Sequence, residues 1–184
     1  MSRPTHTLKH EHRIIEQALR ALDGICTRLE LNEAVPTEAL IQMLDFVQIY
    51  ADRFHHEKEE MYLFPALHEN GMLVEGGPLG FLKQEHHTER QLLIDLGVAV
   101  TDFRHGQEVA KQRIIEIARN YSRHLLSHIR REDAILFMLA EEMLDEGAKT
   151  SLNYAFAKAE NSFGDKSVDH YEQMAAELEK AWAV

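Results

Sequence analysis

Hydrophobic positions recur at helical spacing along almost the whole chain, and no stretch shows the two-residue alternation of a strand. Leu8, Ile15, Leu19, Leu22, Cys26 and Leu29 form one stripe and predict a helix over residues 5–31. Asn32 to Pro36 reads as a turn, with Thr37 placed to cap a second helix. Leu40, Leu44, Val47, Ala51 and Phe54 mark that helix's apolar stripe. A glycine-rich connection over 70–78 ends at Pro78, a residue suited to the first turn of a third helix. Its stripe is Leu79, Leu82, Leu93, Gly97 and Val100. After a loop over 101–107, a fourth helix is expected from Glu108 to Glu146, with Ile114, Ile117, Tyr121, Leu125, Ile135 and Leu139 inward. Gly147 is expected to end it, Thr150 to cap a short helix reaching Ser162, and Ser167 to cap a last helix reaching Trp182 after a break at Gly164. The expected fold is all-α. Residues 1–147 form an antiparallel up-down four-helix bundle, and 148–184 a helical extension packed on it.

Polar residues interrupt these stripes in a repeated way. His55 and Glu59 stand four residues apart, as do His128 and Glu132, and the two segments align at an offset of 73 as His-x3-Glu-acid-x2-Leu-Phe. Leu8-Lys9-His10-Glu11-His12 aligns with Leu82-Lys83-Gln84-Glu85-His86 at an offset of 74. Each half is therefore a helical hairpin carrying one lone histidine and one His-x3-Glu pair. Residues i and i+4 share a helix face, so such a pair can bind one ion or bridge two. On a helical wheel His12 lies about 60° from Ile15, His86 shares its helix's inner stripe, and His128 and Glu132 lie within about 20° of the inner face's centre. His55 and Glu59 fall at the stripe's edge, and His56 with Glu60 forms an alternative pair at the same spacing. A carboxylate on an apolar stripe is costly unless paired or bound to metal. Any one of these residues, taken alone, reads as a core histidine or a helix-stabilising pair; four elements with inward donors at matching positions read as a metal site.

Composition narrows the partners. The 184 residues suit one domain, and the net charge of −11 argues against nucleic acid or an anionic membrane. A single cysteine, Cys26, excludes an intrachain disulfide and fits a reducing, cytoplasmic setting. The first residues lack the apolar core of a signal peptide, and no run reaches the length of a transmembrane helix. Twelve histidines are an excess. His6, His68, His105 and His170 fall at helix ends or in loops, His10 falls on a solvent face, and the acidic runs 57–60 and 141–146 read as mostly solvated. Lys58 lies on the apolar side beside His55 and Glu59, either snorkelling outward or paired.

The candidate ligands are His12, His55, Glu59, His86, His128 and Glu132. Mixed imidazole and carboxylate donors suit iron, manganese or zinc. Six donors exceed one tetrahedral ion and suit two metals. With both glutamates bridging, the protein fills about eight of roughly twelve positions and leaves room for a small ligand.

This ordered set resembles the hemerythrin-like HHE cation-binding domains. Leu63-Phe64-Pro65 after Glu59-Glu60, Glu85-His86 before Arg90, and His128-Ile129-Arg130-Arg131-Glu132-Asp133 are also similar to that family. The resemblance spans roughly 5–145. It implies a bundle holding a non-haem di-iron centre that binds dioxygen or related small molecules such as nitric oxide or peroxide. Two departures stand out. The family's oxygen carriers use five histidines with two carboxylates; His124, four residues before His128, is the best-placed fifth. Phe137-Met138 stands where many relatives carry Phe-Pro. The expected function is binding or sensing of dioxygen or a similar oxidant. Its rivals are a di-iron oxidase, a peroxide- or nitric-oxide-handling enzyme, and an iron-storage or repair protein.

Overall fold

The computed structural model describes residues 3–164 and 166–184. Among the described residues the structure is helical throughout, without strands. α1 spans Pro4–Glu30. α2 is a continuous rod over 37–69, built from Thr37–Phe46, Val47–His56, Glu59–Leu63 and Phe64–Glu69. α3 spans Pro78–Arg104. α4 is a second continuous rod over 109–143, built from Val109–Arg131, Glu132–Leu136 and Phe137–Met143. α5 spans Glu146–Asn161 and α6 spans Val168–Trp182. Short connections turn each of the first four helices back on the one before, α3 packs along α4, and α1 packs beside both α2 and α4.

The helix interiors contain a feature the 3.6-residue period does not encode. Val47–His56, Glu59–Leu63 and Glu132–Leu136 are π-helical, with bonds reaching from residue i to i+5. The N–H of Phe64 bonds to the Glu59 carbonyl, and the N–H of Phe137 to the Glu132 carbonyl. Pro65, lacking an N–H, suits such a break, but the second copy has Met138 there and makes the same turn. The widened turn thus belongs to the His-x3-Glu element itself. Within it the helical phase slips. Ile135, expected inward, is 55% exposed, while Leu136 and Phe137 are buried.

Three cap expectations change. Thr37 makes no capping hydrogen bond and is the first helical residue, with Pro36 before it. Gly147 and Thr150 lie inside α5, which Asp145 caps by accepting from the Ala148 N–H at 2.8 Å. The chain breaks instead at Leu144, which is extended. Ser167 caps α6 as expected, accepting from the His170 N–H.

Two apolar clusters form the core. One gathers Ile15, Leu22, Phe46, Tyr50, Leu93, Ile114 and Tyr121, and includes Tyr171 and Leu178 of α6. The other gathers Leu8, Leu63, Phe64, Leu79, Leu136 and Phe137, and includes Leu152 and Phe156 of α5. A buried polar layer lies between them. α6 lies against α1, where Arg20 bonds Glu179 at 2.6 Å and Arg28 sits over the Trp182 ring. Gly24 permits this close approach, because a Cβ there would collide with the Trp182 carbonyl oxygen. Gly24→Ala is expected to displace the end of α6 and lower stability by about 1–3 kcal/mol, the usual cost of overpacking, read as a lowered denaturation midpoint.

Candidate metal centre

The buried polar layer collects the six expected donors. His12, His55, Glu59, His86, His128 and Glu132 are each 0% exposed. They group as His12, His55, Glu59 and Glu132 on one side, and Glu59, His86, His128 and Glu132 on the other, with donor atoms within 4.8 Å of one another. The two glutamates belong to both groups. Glu59 points Oε1 toward His55 Nε2 (3.8 Å) and Oε2 toward His86 Nε2 (3.5 Å). Glu132 Oε2 lies 3.3 Å from His12 Nε2 and 3.2 Å from His128 Nε2. Two donors about 2.1 Å from a shared ion stand roughly 3.0 Å apart when adjacent and about 4.2 Å apart when opposite. All four separations fall in that window.

A fifth histidine joins them, and it is His56 rather than His124. His56 is 1% exposed, groups with His86 and His128, and stacks on the His86 ring at 3.9 Å. Wheel analysis missed it because a uniform 100° step sends His55 and His56 to different faces, whereas π turns advance less per residue and turn both inward. The adjacent histidines are the signal that could have found it. His124 is only partly buried and bonds Glu89 at 2.8 Å. Glu60, the other member of the alternative pair, serves a different role.

Four of the five imidazoles are held alike. The Nδ1–H of His12 donates to Asp133 (2.8 Å), that of His55 to Glu11 (2.9 Å), that of His86 to Glu60 (2.7 Å) and that of His128 to Glu85 (3.0 Å). Each outer carboxylate adjoins a donor residue on its own helix but holds the histidine of another. Glu11 on α1 holds α2, Glu60 on α2 holds α3, Glu85 on α3 holds α4, and Asp133 on α4 holds α1, which closes a ring. Each also meets a fixed cation: Glu11 with Lys58, Glu60 with Arg90, Glu85 with Arg131, and Asp133 with Arg13. Glu60 is therefore not simply a solvated acid, and Lys58 is paired rather than snorkelled. Such outer partners fix the ring orientation and tautomer of a metal-binding histidine.

The electrostatics show what the cluster lacks. With Nδ1 donating outward, the Nε2 atoms of these histidines face inward, and those of His86 and His128 are hydrogen-bonded at 3.1 Å. Burial opposes charge on His128 and His12, but the neighbouring glutamate carboxylates raise His128 well above, and with Asp133 raise His12 above, the ordinary histidine range. His12 Nε2, His55 Nε2 and both oxygens of Glu59 and Glu132 are buried without a hydrogen-bond partner. Unpartnered buried polar atoms are expensive, and here they converge. Burial and the facing charge of Glu132 push the Glu59 carboxyl well above its ordinary value. Burial acts likewise on Glu132, but His128 and His12 outweigh it and hold that carboxyl well below. Burial and the nearby His56 lower His86 to about 4. Burial and neighbouring imidazoles push His55 well below the ordinary histidine range. Burial opposes charge on Glu60 too, but His86 and Arg90 prevail and hold it at about 2. A cation would satisfy the convergent lone pairs and replace the proton on Glu59.

Comparison with known proteins agrees with this geometry. The description "Hemerythrin HHE cation binding domain" matches residues 3–149. The chain belongs to that family. It is 22% identical over 178 residues to the uncharacterized protein Mb2018 of Mycobacterium bovis, covering 96% of this chain and 69% of that protein. The same figures hold for the uncharacterized protein Rv1995 of Mycobacterium tuberculosis. No solved structure matches significantly. Among the described residues no helix is long and apolar enough to cross a membrane.

Two outcomes are expected. Glu60→Ala and Glu85→Ala leave the inner donors intact but weaken cation affinity by about 10–100-fold, the usual effect of losing an outer partner, measured by competition with a chelating dye. Cation binding displaces the Glu59 proton and requires neutral imidazoles, so affinity falls as pH falls. A loaded sample titrated downward in the presence of chelator loses its metal, and a weakly buffered apoprotein releases protons on loading.

Proposed function

We propose that the cluster holds two metal ions, iron before manganese or zinc, and that the protein binds or senses dioxygen or a related small oxidant. The observation that carries this reading is the donor set: five imidazoles and two shared carboxylates on a fully enclosed site. With both glutamates bridging, the set supplies about nine of roughly twelve octahedral positions. The side of His56, His86 and His128 has three imidazoles and that of His12 and His55 has two. Were two ions held, the side of His12 and His55, with fewer imidazoles, would leave more room for a small ligand.

The chain's own residues favour binding over substrate oxidation. Imidazoles are neutral donors, so a histidine-rich set leaves the metals less electron-rich than a carboxylate-rich one. Phe137 stacks on His12 at 5.3 Å and Phe64 on His86 at 5.8 Å, excluding water on that face. A cavity of about 620 Å³ lies between α2 and the α5–α6 connection, and no inner donor lines it. Two further cavities, at the α1–α2 turn and beside α6, are likewise lined by none of the inner donors.

Glu59→Ala and Glu132→Ala are expected to lose metal and stability together, since an ion bound only by the folded state stabilises it by linkage. His56→Ala should lower metal content or alter its spectrum, and His10→Ala should do neither; element analysis and thermal unfolding read both. The function is tested by mixing reduced, iron-loaded protein with dioxygen. A charge-transfer absorption that rises with dioxygen and fades on its removal is expected. Sustained turnover with peroxide and a reductant would replace this reading with an enzyme.

A further inference from the structure

The two halves match so closely around the donors that their differences are informative. At the repeat offsets, His56 corresponds to Ile129, Glu89 to Ile15 and His124 to Ala51. The three apolar partners are 1%, 0% and 0% exposed. One side of the bundle thus has a dry wall where the repeat-related side has three polar side chains, each side drawing residues from both halves. These three are contiguous. His124, 29% exposed at its side chain, donates from Nδ1 to Glu89 Oε1 at 2.8 Å. Glu89 is 1% exposed, and its Oε2 has no hydrogen-bond partner and lies 3.6 Å from His56 Nε2. His56 in turn stacks on His86 inside the cluster.

Glu89 also differs from the four carboxylates that hold the other histidines. Each of those is tied to a lysine or arginine, a cation that cannot be displaced without leaving a buried charge unpaired. Among the described residues the partner that hydrogen-bonds Glu89 is the imidazole of His124, itself a metal donor type. A buried carboxylate with one free oxygen is costly to maintain, and no packing need explains it, since the other half fills the same place with isoleucine. We propose that His124, Glu89 and His56 form the route by which a cation passes between solvent and the enclosed centre. The inference rests on the reading of that centre as a cation site. Along the route an ion exchanges water for imidazole, then carboxylate, then imidazole, and no step leaves it without a donor. The ring of clamped carboxylates can then stay closed while the site is loaded.

The test uses metal-free full-length protein and cobalt(II), followed by its absorption in a stopped-flow instrument. His124→Ala and Glu89→Gln are expected to slow cobalt uptake, and its release to excess chelator, by about tenfold or more, equivalent to about 1.4 kcal/mol on the barrier. Stoichiometry and the final spectrum should match wild type. Uptake and release at the wild-type rate in both variants would overturn the proposal. So would lost stoichiometry, which would make these residues part of the centre itself. His124 lies partly at the surface, so its variant carries the test should Glu89→Gln fail to fold. Wild-type protein that takes up no cobalt, iron or zinc would overturn the metal reading instead, a separate and earlier failure.

Discussion

The fold depends on reconciling buried imidazoles and carboxylates with an otherwise apolar bundle. The two core clusters do not merge; a polar layer separates them, and the inner atoms of His12, His55, Glu59 and Glu132 have no hydrogen-bond partner among the described residues. The closed ring of carboxylate-to-imidazole bonds makes this tolerable. It satisfies the outward nitrogen of four histidines and fixes each ring against a neighbouring helix. It also brings the six unpartnered inner atoms of His12, His55, Glu59 and Glu132 to one point. Packing alone would set the angles between helices, but the ring sets their register, because sliding one helix breaks two links at once.

Much of this arrangement was legible in the sequence. The repeated His-x3-Glu pairs and the lone histidines one offset away named six donors that the structure brings together, since helical periodicity fixes which residues share a face. The outer carboxylates were visible as the acid after each glutamate and the acid before each lone histidine. Their role was not, because each serves a different helix from its own, and only the packed bundle reveals that. His56 was lost for a local reason: a wheel with one fixed step cannot represent a helix that changes its turn, and the π segments occur where the donors sit. The same slip moved Ile135 from the expected core to the surface. The caps were misplaced for two reasons: Pro36, which offers no capping side chain, precedes the helix that begins at Thr37, and Asp145, lying at an extended residue, caps the helix that holds Thr150.

The two copies differ as much as they agree. Glu59 and Glu132 share backbone geometry down to the i+5 bond, yet they differ in charge preference, one favouring its acid form and the other its carboxylate. Like charges this close cannot both persist without a counter-ion, so a symmetric sequence yields an electrically asymmetric centre. His56 adds chemical asymmetry, giving one side an extra imidazole.

The ring has a consequence for how such a molecule can be assembled. Its four links divide into two within hairpins (Glu11–His55 and Glu85–His128) and two between them (Glu60–His86 and Asp133–His12). A single hairpin already contains every type of half-link, donor and acceptor, that the ring requires. Two separate copies related by a twofold axis could close it without any connecting chain, since an isologous pairing supplies each contact twice. Joining the copies through residues 70–77 removes the requirement that they be identical. The wall of Ile15, Ala51 and Ile129 and the path of His56, Glu89 and His124 each draw residues from both copies, so the two sides of the bundle can differ in a way that a homodimer of identical hairpins could not hold.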